Sequence, residues 1–258
     1  MIGNPYLSLI LPAYNEVARI KSTIDSIRAH FGRQHYSYEI IVSADGNDGT
    51  REVVAELAQK DSRIAVLGGN ERGGKGLAIR NGVARSAGRI VGFADADNKV
   101  PISEIDKLLP WFCRGYDIVI GSRGVADSTI EVHPPLHRRL GSRAFGVVMH
   151  SLIGLWDLHD TQCGFKFFRQ RAARELFACQ RVDGYMFDVE ILHLAKRWGY
   201  RIKEVGVRWH DDGDTRLRLI AGNWRNMLDI LGIRLSRYER PAVCCSYPED
   251  VSGSRKAG

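Results

Sequence analysis

Two aspartates, Asp95 and Asp97, stand at the end of an apolar run in this chain. The run Ile90–Ala94 has the composition of a buried strand, and side chains alternate between faces along an extended strand. We therefore expect both carboxylates to point the same way, with Ala96 out of their path. Such a pair suits a hard divalent cation, which shares its oxygen ligands with phosphates. Aspartates also end strands without binding anything, so the pair needs support from the rest of the chain.

The elements that would position this pair alternate between strands and helices as far as about residue 121. Apolar runs predict strands at 7–11, 39–43, 64–67, 90–94 and 117–121. Helical periodicity predicts helices at about 16–30, 50–60, 77–87 and 101–114. This alternation is typical of an α/β protein whose mostly parallel sheet has helices on both faces. Open sheets of this kind bind ligands at the carboxyl ends of their strands.

The second half of the sequence is less regular. It predicts helices at 136–155 and 187–198, strands at 165–169 and 202–209, and a long basic amphipathic helix at 217–238. We expect a single domain over 1–240 that ends in a helical extension. Its nucleotide-binding half would span about 1–121 and its acceptor-binding half about 122–240. The polar tail 241–258 is expected to be disordered.

Composition restricts the class of protein without choosing a function. The chain has 258 residues, with 37 basic and 30 acidic side chains and a net charge of +7, which permits anionic partners. Its five cysteines form no disulfide framework, so a reducing, cytoplasmic location is expected. No signal peptide is visible, and no apolar run reaches the roughly 18 residues of a membrane span. Nucleic acid is disfavoured because aromatic side chains do not interleave with Lys and Arg.

Five short motifs follow one another along the chain. They are LPAYNE at 11–16, DGNDGT at 45–50, GKG at 74–76, DAD at 95–97 and DTQCGFK at 160–166. In this order they resemble glycosyltransferase family 2, the inverting enzymes of the Rossmann-like GT-A fold. GSR at 121–123, FDVE at 187–190 and GDTRL at 213–217 narrow the resemblance to dolichyl- or polyprenyl-phosphate glucosyl- and mannosyltransferases. It covers about residues 6–235.

The resemblance implies a donor site at the carboxyl edge of the sheet. Asp95 and Asp97 match the metal-binding and catalytic pair, which implies Mg²⁺ or Mn²⁺. The positions that match nucleotide-binding residues are Pro12, Tyr14, Glu16, Asp45, Lys75, Asp95 and Ala96. From its residue type alone, Lys75 is either a fixed positive charge beside the diphosphate or a solvated loop residue.

The resemblance also implies an acceptor site made of arginines. Arg123, Arg139 and Arg143 match groups around the acceptor phosphate, and Arg216 matches a catalytic cation beside the diphosphate. Arg139 and Arg143 are four residues apart, so they could equally be solvated charges on one helix face. Asp188 could either cap its helix or enter the site.

The chain departs from the family pattern at two places in the donor site. The segment 44–47 reads ADGN where relatives have two aspartates, which leaves the nucleobase open. Lys99 stands where mannosyl enzymes often carry glutamine, and a fixed cation there could replace part of the metal's charge.

The reaction implied is transfer of a hexose, glucose or mannose, from a UDP- or GDP-hexose to a lipid phosphate. A phosphate monoester has a second pKa of about 6, so it attacks without a strong general base. The alternatives are a soluble phosphorylated or small-molecule acceptor, a nucleotidyltransferase, and a nucleotide-sugar sensor without activity. The basic helix at 217–238 could lie in a lipid interface or dock on the sheet. The expected location is therefore cytoplasmic or at the cytoplasmic face of a membrane, and the oligomeric state is open.

Overall fold

A mixed β-sheet forms the centre of the protein. The structure is a computed structural model that describes residues 4–131, 146–147, 149–210 and 221–241. The strands within this part of the chain are β1 (Leu7–Tyr14), β2 (Tyr38–Asp45), β3 (Ile64–Leu67), β4 (Ile90–Ala94), β5 (Ile118–Ser122), β6 (Thr129–Ile130), β7 (Phe165–Arg169), β8 (Ile202–Gly206) and β9 (Arg208–Trp209). The central sheet has the order β3-β2-β1-β4-β7-β5-β8, and β6 pairs with β9 in a separate small sheet.

Strand direction places the loops that matter at one edge of the sheet. Neighbours pair in parallel except at β7, which is antiparallel to both β4 and β5. The strands β1, β2, β4 and β5 consequently all end at the same edge, and β7 begins there. The mostly parallel α/β fold predicted from the sequence is confirmed.

Helices cover both faces of this sheet. They are α1 (Val17–Phe31), α2 (Thr50–Lys60), α3 (Lys75–Arg85), α4 (Ile105–Cys113), α5 (Gln170–Ala178), α6 (Phe187–Arg197) and α7 (Ala221–Leu235). A 3₁₀ turn, Ile102–Glu104, precedes α4. Residues 149–153 are also helical.

The core has two layers because most strands are buried on both faces. In β1, Leu9 belongs to the layer under α1, α2 and α4, whereas Ile10 belongs to the layer under α3, α5, α6 and α7. The apolar stripe of α1, represented by Ile20 and Ile24, is fully buried in the first layer. Each such side chain stabilises the fold by about 1.5–3 kcal/mol relative to an exposed position.

Strand β7 requires a glycine in its neighbour. Gly92 of β4 pairs with Phe167, and a Cβ on Gly92 would lie 2.1 Å from Cδ1 of the Phe167 ring. The ring therefore lies directly over the β4 backbone. The glycine, which weakens strands elsewhere, is needed here for the close approach.

Several predicted boundaries were wrong. The first strand does not stop at Pro12 but continues to Tyr14. Its pairing with β4 ends at Ile10, and beyond that residue β1 is held in the sheet by its pairing with β2 alone. The strand predicted at 202–209 is divided at Val207 into β8 and β9. The sequence reading also missed α5, since this helix follows β7 with no intervening loop.

Parts of the second half fall outside the described residues. Of the helix predicted at 136–155, only 146–147 and 149–153 are described, and they are helical. The helix predicted at 217–238 is described from Ala221 and ends at Leu235. The predicted disordered tail lies outside the described range after residue 241. Among the described residues, no helix has the length and apolar character of a membrane span.

Candidate active site

The carboxylate pair Asp95 and Asp97 directly follows the last residue of β4. The intervening Ala96 is 4% exposed, and its carbonyl accepts a hydrogen bond of 2.8 Å from Thr23 of α1. Asp95 is held from the other side, where its backbone N–H donates to the carbonyl of Gly164 at 3.1 Å. The carboxylates of Asp95 and Asp97 are 40% and 25% exposed. The pair is thus fixed at its backbone and open to solvent at its oxygens.

Two lysines face the two carboxylates. The Nζ of Lys75 lies 2.5 Å from Oδ1 of Asp95, and the Nζ of Lys99 lies 3.8 Å from Oδ2 of Asp97. Burial and the charge of Asp95 raise the pKa of Asp97. Burial would lower the pKa of Lys75, but the charges of Asp95 and Asp188 raise it further, so Lys75 stays cationic. The pair therefore carries mutual repulsion that the lysines relieve only in part.

These carboxylates fit a hard divalent cation. Repulsion within the pair falls when a cation binds to it, and both side chains are accessible to one. Within the part of the chain that the structure describes, no three His, Cys, Asp or Glu side chains gather into a metal site. An ion held here would take its other ligands from diphosphate and water oxygens, as Mg²⁺ usually does.

A buried ion pair lies beneath this edge. The Nζ of Lys166, a side chain only 1% exposed, lies 2.7 Å from Oδ1 of Asp188 and 2.5 Å from the carbonyl oxygen of Cys163. Burial raises the pKa of Asp188, while the charges of Lys166 and Lys75 lower it. Asp188 lies in the first turn of α6 but its carboxylate binds Lys166. Sequence reasoning overlooked Lys166, although a lysine among phenylalanines in β7 is a signal that could have found it.

The glycines around Lys75 bring two backbones together. The N–H of Gly76 donates to the carbonyl of Asp183 at 2.8 Å. A Cβ on Gly74, where φ is +108°, would lie 2.3 Å from that oxygen, and one on Gly76 would lie 2.5 Å from the carbonyl of Val182. The motif therefore packs the start of α3 against 182–184, and this packing aims Lys75 at Asp95.

An aromatic and cationic rim borders the same edge at the end of β1. Tyr14 is 37% exposed, and the guanidinium carbon of Arg72 lies 4.6 Å from the centroid of its ring. Arg72 also donates to the hydroxyl of Tyr185 at 3.1 Å. Flat surfaces of this kind can stack against a nucleobase.

The other residues predicted for the nucleotide line the ends of β1 and β2. Pro12 pairs with Ser43 within the sheet, and the N–H of Glu16 donates to the hydroxyl of Thr50 at 2.9 Å. Asp45 accepts hydrogen bonds from two backbone N–H groups, of Gly73 at 2.9 Å and of Gly69 at 3.3 Å. The carboxylate of Asp45 therefore shapes the loop between β3 and α3.

Arg123, at the end of β5, is held by a buried carboxylate. Its Nε and Nη2 donate to the two oxygens of Asp160 at 2.6 and 2.9 Å. Asp160 also accepts a hydrogen bond of 3.0 Å from the backbone N–H of Arg123. Burial would raise the pKa of Asp160, but the charge and hydrogen bonds of Arg123 lower it to about 2. Burial would lower the pKa of Arg123, but the charge and hydrogen bonds of Asp160, with a smaller effect of Asp95, raise it. Arg123 thus belongs to the same edge, oriented by Asp160.

The structure does not describe three of the predicted site residues. Arg139, Arg143 and Arg216 lie outside the described residues. Their predicted contacts with the acceptor phosphate and the diphosphate stay predictions.

Comparison with known proteins agrees with this arrangement. The profile of glycosyl transferase family 2 matches residues 8–177. The chain is 34% identical over 244 residues to the dolichyl-phosphate beta-glucosyltransferase ALG5D of Trichomonas vaginalis, covering 88% of this chain and 72% of the relative. It is 35% identical over 228 residues to a dolichyl-phosphate beta-glucosyltransferase of Drosophila melanogaster, covering 82% and 69%.

Solved structures share the fold. Glucosyl-3-phosphoglycerate synthase from Mycobacterium tuberculosis, solved with UDP, superposes with a TM-score of 0.65 at 22% identity, covering 89% of this chain and 80% of that chain. Mannosyl-3-phosphoglycerate synthase from Rubrobacter xylanophilus gives 0.67 at 18% identity, covering 90% and 74%. The predicted GT-A fold is thereby confirmed. With the sequence match over most of the chain, the protein belongs to glycosyl transferase family 2 and is a glycosyltransferase.

Proposed function

We propose that this enzyme transfers a hexose from a nucleoside diphosphate sugar to dolichyl or polyprenyl phosphate, with inversion at the sugar carbon. The observation that carries the proposal is the open carboxylate pair Asp95 and Asp97, with Lys75 2.5 Å from Asp95. This is a cation and diphosphate site at the edge where open α/β sheets bind ligands. The names of the relatives, dolichyl-phosphate beta-glucosyltransferases, favour glucose over mannose.

The donor would bind with its diphosphate at the carboxylate pair. Asp95 and Asp97 would hold Mg²⁺ or Mn²⁺, which supplies Lewis-acid stabilisation of the charge on the departing diphosphate. Solved structures of the same fold hold UDP together with Mn²⁺ or Mg²⁺, which supports this choice of ion and favours UDP over GDP. Lys75 adds a fixed positive charge that needs no reorganisation during the reaction.

The nucleoside would lie over the ends of β1 and β2. The ring of Tyr14, with the Arg72 guanidinium 4.6 Å from its centroid, offers a stacking surface. Pro12, Glu16 and the loop that Asp45 holds would border the ribose and base, and Ala96 would contribute backbone between the two aspartates. The exposure of Tyr14 supports this assignment.

The acceptor phosphate would attack from the side opposite the diphosphate. A phosphate oxygen forms the new bond to C1 of the hexose, and the bond from C1 to the diphosphate oxygen breaks, so the nucleoside diphosphate leaves with the electron pair. A phosphate dianion needs no proton removed. Arg123, with Arg139, Arg143 and Arg216, would hold the two anions against their mutual repulsion. The exposed edge of Arg123 beside its Asp160 clamp supports its part in this set.

An acceptor with a polyprenyl chain is embedded in lipid, so the enzyme would work at a membrane surface. A cytoplasmic location at that surface agrees with the sequence-based expectation. We also propose a nucleotide-binding half, about 1–121, which contains the residues assigned to the donor, and an acceptor-binding half, about 122–240, which contains the arginines assigned to the acceptor phosphate. Nucleic acid has no part in this proposal.

A soluble phosphorylated acceptor is the second candidate. The fold shared with glucosyl-3-phosphoglycerate synthase favours it. The two candidates differ in the solubility of their product, since a polyprenyl-linked hexose extracts into organic solvent.

The test uses radiolabelled UDP-glucose or GDP-mannose with dolichyl phosphate or a soluble phosphate ester. We expect label from UDP-glucose to enter the organic phase in the presence of Mg²⁺ or Mn²⁺. Asp97→Asn should reduce this transfer by about a hundredfold or more, as for the loss of one stabilising group in a transition state. It should also abolish the metal-dependent rise in melting temperature that UDP causes.

The control is Asp25→Asn, which removes an exposed carboxylate on α1 and should leave transfer unchanged. Full transfer by Asp97→Asn would refute the metal site. Label that stays in water with the soluble ester, and never enters the organic phase, would establish the second candidate instead.

A further inference from the structure

An apolar stripe lies exposed along α7. Trp224, Leu228, Leu231 and Leu235 are 72%, 53%, 40% and 80% exposed. Their spacing of four, three and four residues places them on one face of the helix. The buried residue Ile230 lies on the opposite face. Among the described residues the stripe is therefore a contiguous apolar surface that the fold does not cover.

A basic cavity opens beside this stripe. It has a volume of about 440 Å³ and lies between residues 153–155, the last turns of α6 and the end of α7. His193, Lys196, Arg197 and Arg234 line it. Arg234 stands between Leu231 and Leu235 in sequence and flanks the stripe, and Trp156, 62% exposed, directly follows residues 153–155 of the cavity wall in sequence. Cationic groups thus lie beside the exposed apolar stripe.

The positive charge in the cavity is only partly compensated. Lys196 forms an ion pair with Asp157, but Arg197 and Arg234 have no acidic partner among the residues that the structure describes. Burial lowers the pKa of His193, and the charges of Arg197 and Arg234 lower it further. The negative end of the α6 dipole accounts for the basic residues in the last turn of α6. It does not account for Arg234, which reaches the cavity from α7. The cavity is consequently suited to an anion.

We propose that this cavity binds the headgroup phosphate of an anionic phospholipid while the stripe on α7 enters the leaflet. Apolar side chains at the acyl boundary with basic groups at headgroup level are the pattern of an interfacial helix. A free phosphate ion would make no use of the apolar stripe on α7, so the occupant is lipid.

The cavity is separate from the reaction site. Asp188 and Arg197 are nine residues apart on α6, which is about 14 Å along a helix. The middle of α7, however, lies near the candidate active site. A Cβ on Gly184 would lie 3.5 Å from Oδ2 of Asp229 on α7, and Gly184 belongs to the segment 182–184 that packs against the start of α3 beside Lys75. A molecule anchored by α7 would therefore hold its reaction site close to the leaflet. The inference itself needs no acceptor lipid and stands apart from the transfer reaction.

The experiment measures binding to vesicles of phosphatidylcholine with and without phosphatidylglycerol, all free of polyprenyl phosphate. We expect the protein to sediment with the anionic vesicles at low salt. The double variant Arg197→Gln, Arg234→Gln should bind them about 30-fold more weakly, which corresponds to about 1 kcal/mol for each basic side chain. The matched control Arg33→Gln, Lys60→Gln removes the same charge at the ends of α1 and α2, on the other face of the sheet, and should stay within about twofold of the parent.

A second measurement uses the unaltered protein and does not depend on a variant that folds. Hydrogen exchange at 153–155 and 193–197 should slow with anionic vesicles and not with phosphatidylcholine alone. Equal binding to both vesicle types, or an equal loss in the control variant, would overturn the proposal. So would unchanged exchange in the cavity. Transfer to a water-soluble short-chain acceptor without vesicles reports on the proposed function alone, so the two can fail separately.

Discussion

At Gly164, the residue before β7, the carboxylate of Asp95 occupies the space that a side chain would need. A Cβ there would lie 2.0 Å from Oδ2 of Asp95, while the carbonyl of Gly164 accepts from the N–H of Asp95 at 3.1 Å. The position of one ligand in the carboxylate pair is therefore set by the absence of a side chain on a residue distant in sequence.

Gly164→Ala should move the carboxylate of Asp95 and weaken transfer while leaving the fold intact. Displacement of a reacting group by about 1 Å costs about a hundredfold in rate. Steady-state kinetics would give the fall in kcat, and calorimetry of UDP with Mg²⁺ would give the loss of metal-dependent binding. The control is Gly232→Ala, where an added Cβ meets nothing within 4 Å. Unchanged kcat in Gly164→Ala would show that Asp95 tolerates movement.

The types and spacing of Asp95 and Asp97 indicated a candidate cation pair, and the order of the motifs along the chain supported that interpretation. Residue types and spacing could not indicate the Lys166–Asp188 pair, whose members are 22 residues apart. The two side chains meet only because α6 packs on the sheet that contains β7. The same limit applies to Asp160 and Arg123. Sequence reading named Asp188 and Arg123 but did not identify their buried partners, Lys166 and Asp160.

At the scale of the element, α6 is fixed by a buried glutamate that caps a turn. The carboxylate of Glu190 accepts from the N–H groups of Arg181 and Val182 at 2.8 and 2.9 Å and from the hydroxyl of Tyr238 at 2.7 Å. It thereby links α6 to the turn before it and to the chain after α7. This turn leads into 182–184, the segment against which α3 presents Lys75.

Glu190→Ala should destabilise the protein by about 3 kcal/mol, because it leaves buried donors unpaired. Glu190→Gln keeps one acceptor oxygen and should cost less. Urea unfolding followed by circular dichroism would measure both. Glu56→Ala, an exposed position on α2, should change stability by no more than about 0.5 kcal/mol. A similar small change in Glu190→Ala would mean that water replaces the lost carboxylate.

Element types were predictable where the local pattern was strong, as in β4 and α1. Strand order was not, because β7 reaches its place between β4 and β5 only through long-range pairing. Its apolar run indicates a buried strand but carries no sign of direction. The antiparallel pairing of Phe167 with Gly92 became visible only in three dimensions.

At the scale of the whole molecule, stability in acid depends on carboxylates that the fold keeps ionised. The pKa of Asp160 is lowered to about 2 despite burial, by the charge and hydrogen bonds of Arg123, and hydrogen bonds from Arg63 lower the pKa of Asp61 to about 2. Because each folded-state pKa lies below the unfolded value of 3.8, each carboxylate stabilises the fold above about pH 4. That contribution is lost as the pH falls toward about 2.

The free energy of unfolding should therefore fall on acidification, by about 2 kcal/mol for Asp160 alone. Asp160→Asn should be less stable at neutral pH and show a flatter acid limb, so that the two curves converge near pH 2. Urea unfolding at a series of pH values would test this. If that variant does not fold, Asp61→Asn gives the same comparison. Parallel curves for variant and parent would contradict the assigned shift.

The antiparallel strand has a consequence for how such enzymes diversify. The chain leaves the sheet at the end of β5 and returns on β7, the strand beside it, so the connection that contains residues 124–158 starts and ends about 5 Å apart. This part of the chain carries β6 of the small sheet, and a change in its length does not require a change in the pairing of β5 with β7. Grafting this stretch from a paralogue should alter which acceptor is accepted and leave recognition of the sugar nucleotide untouched.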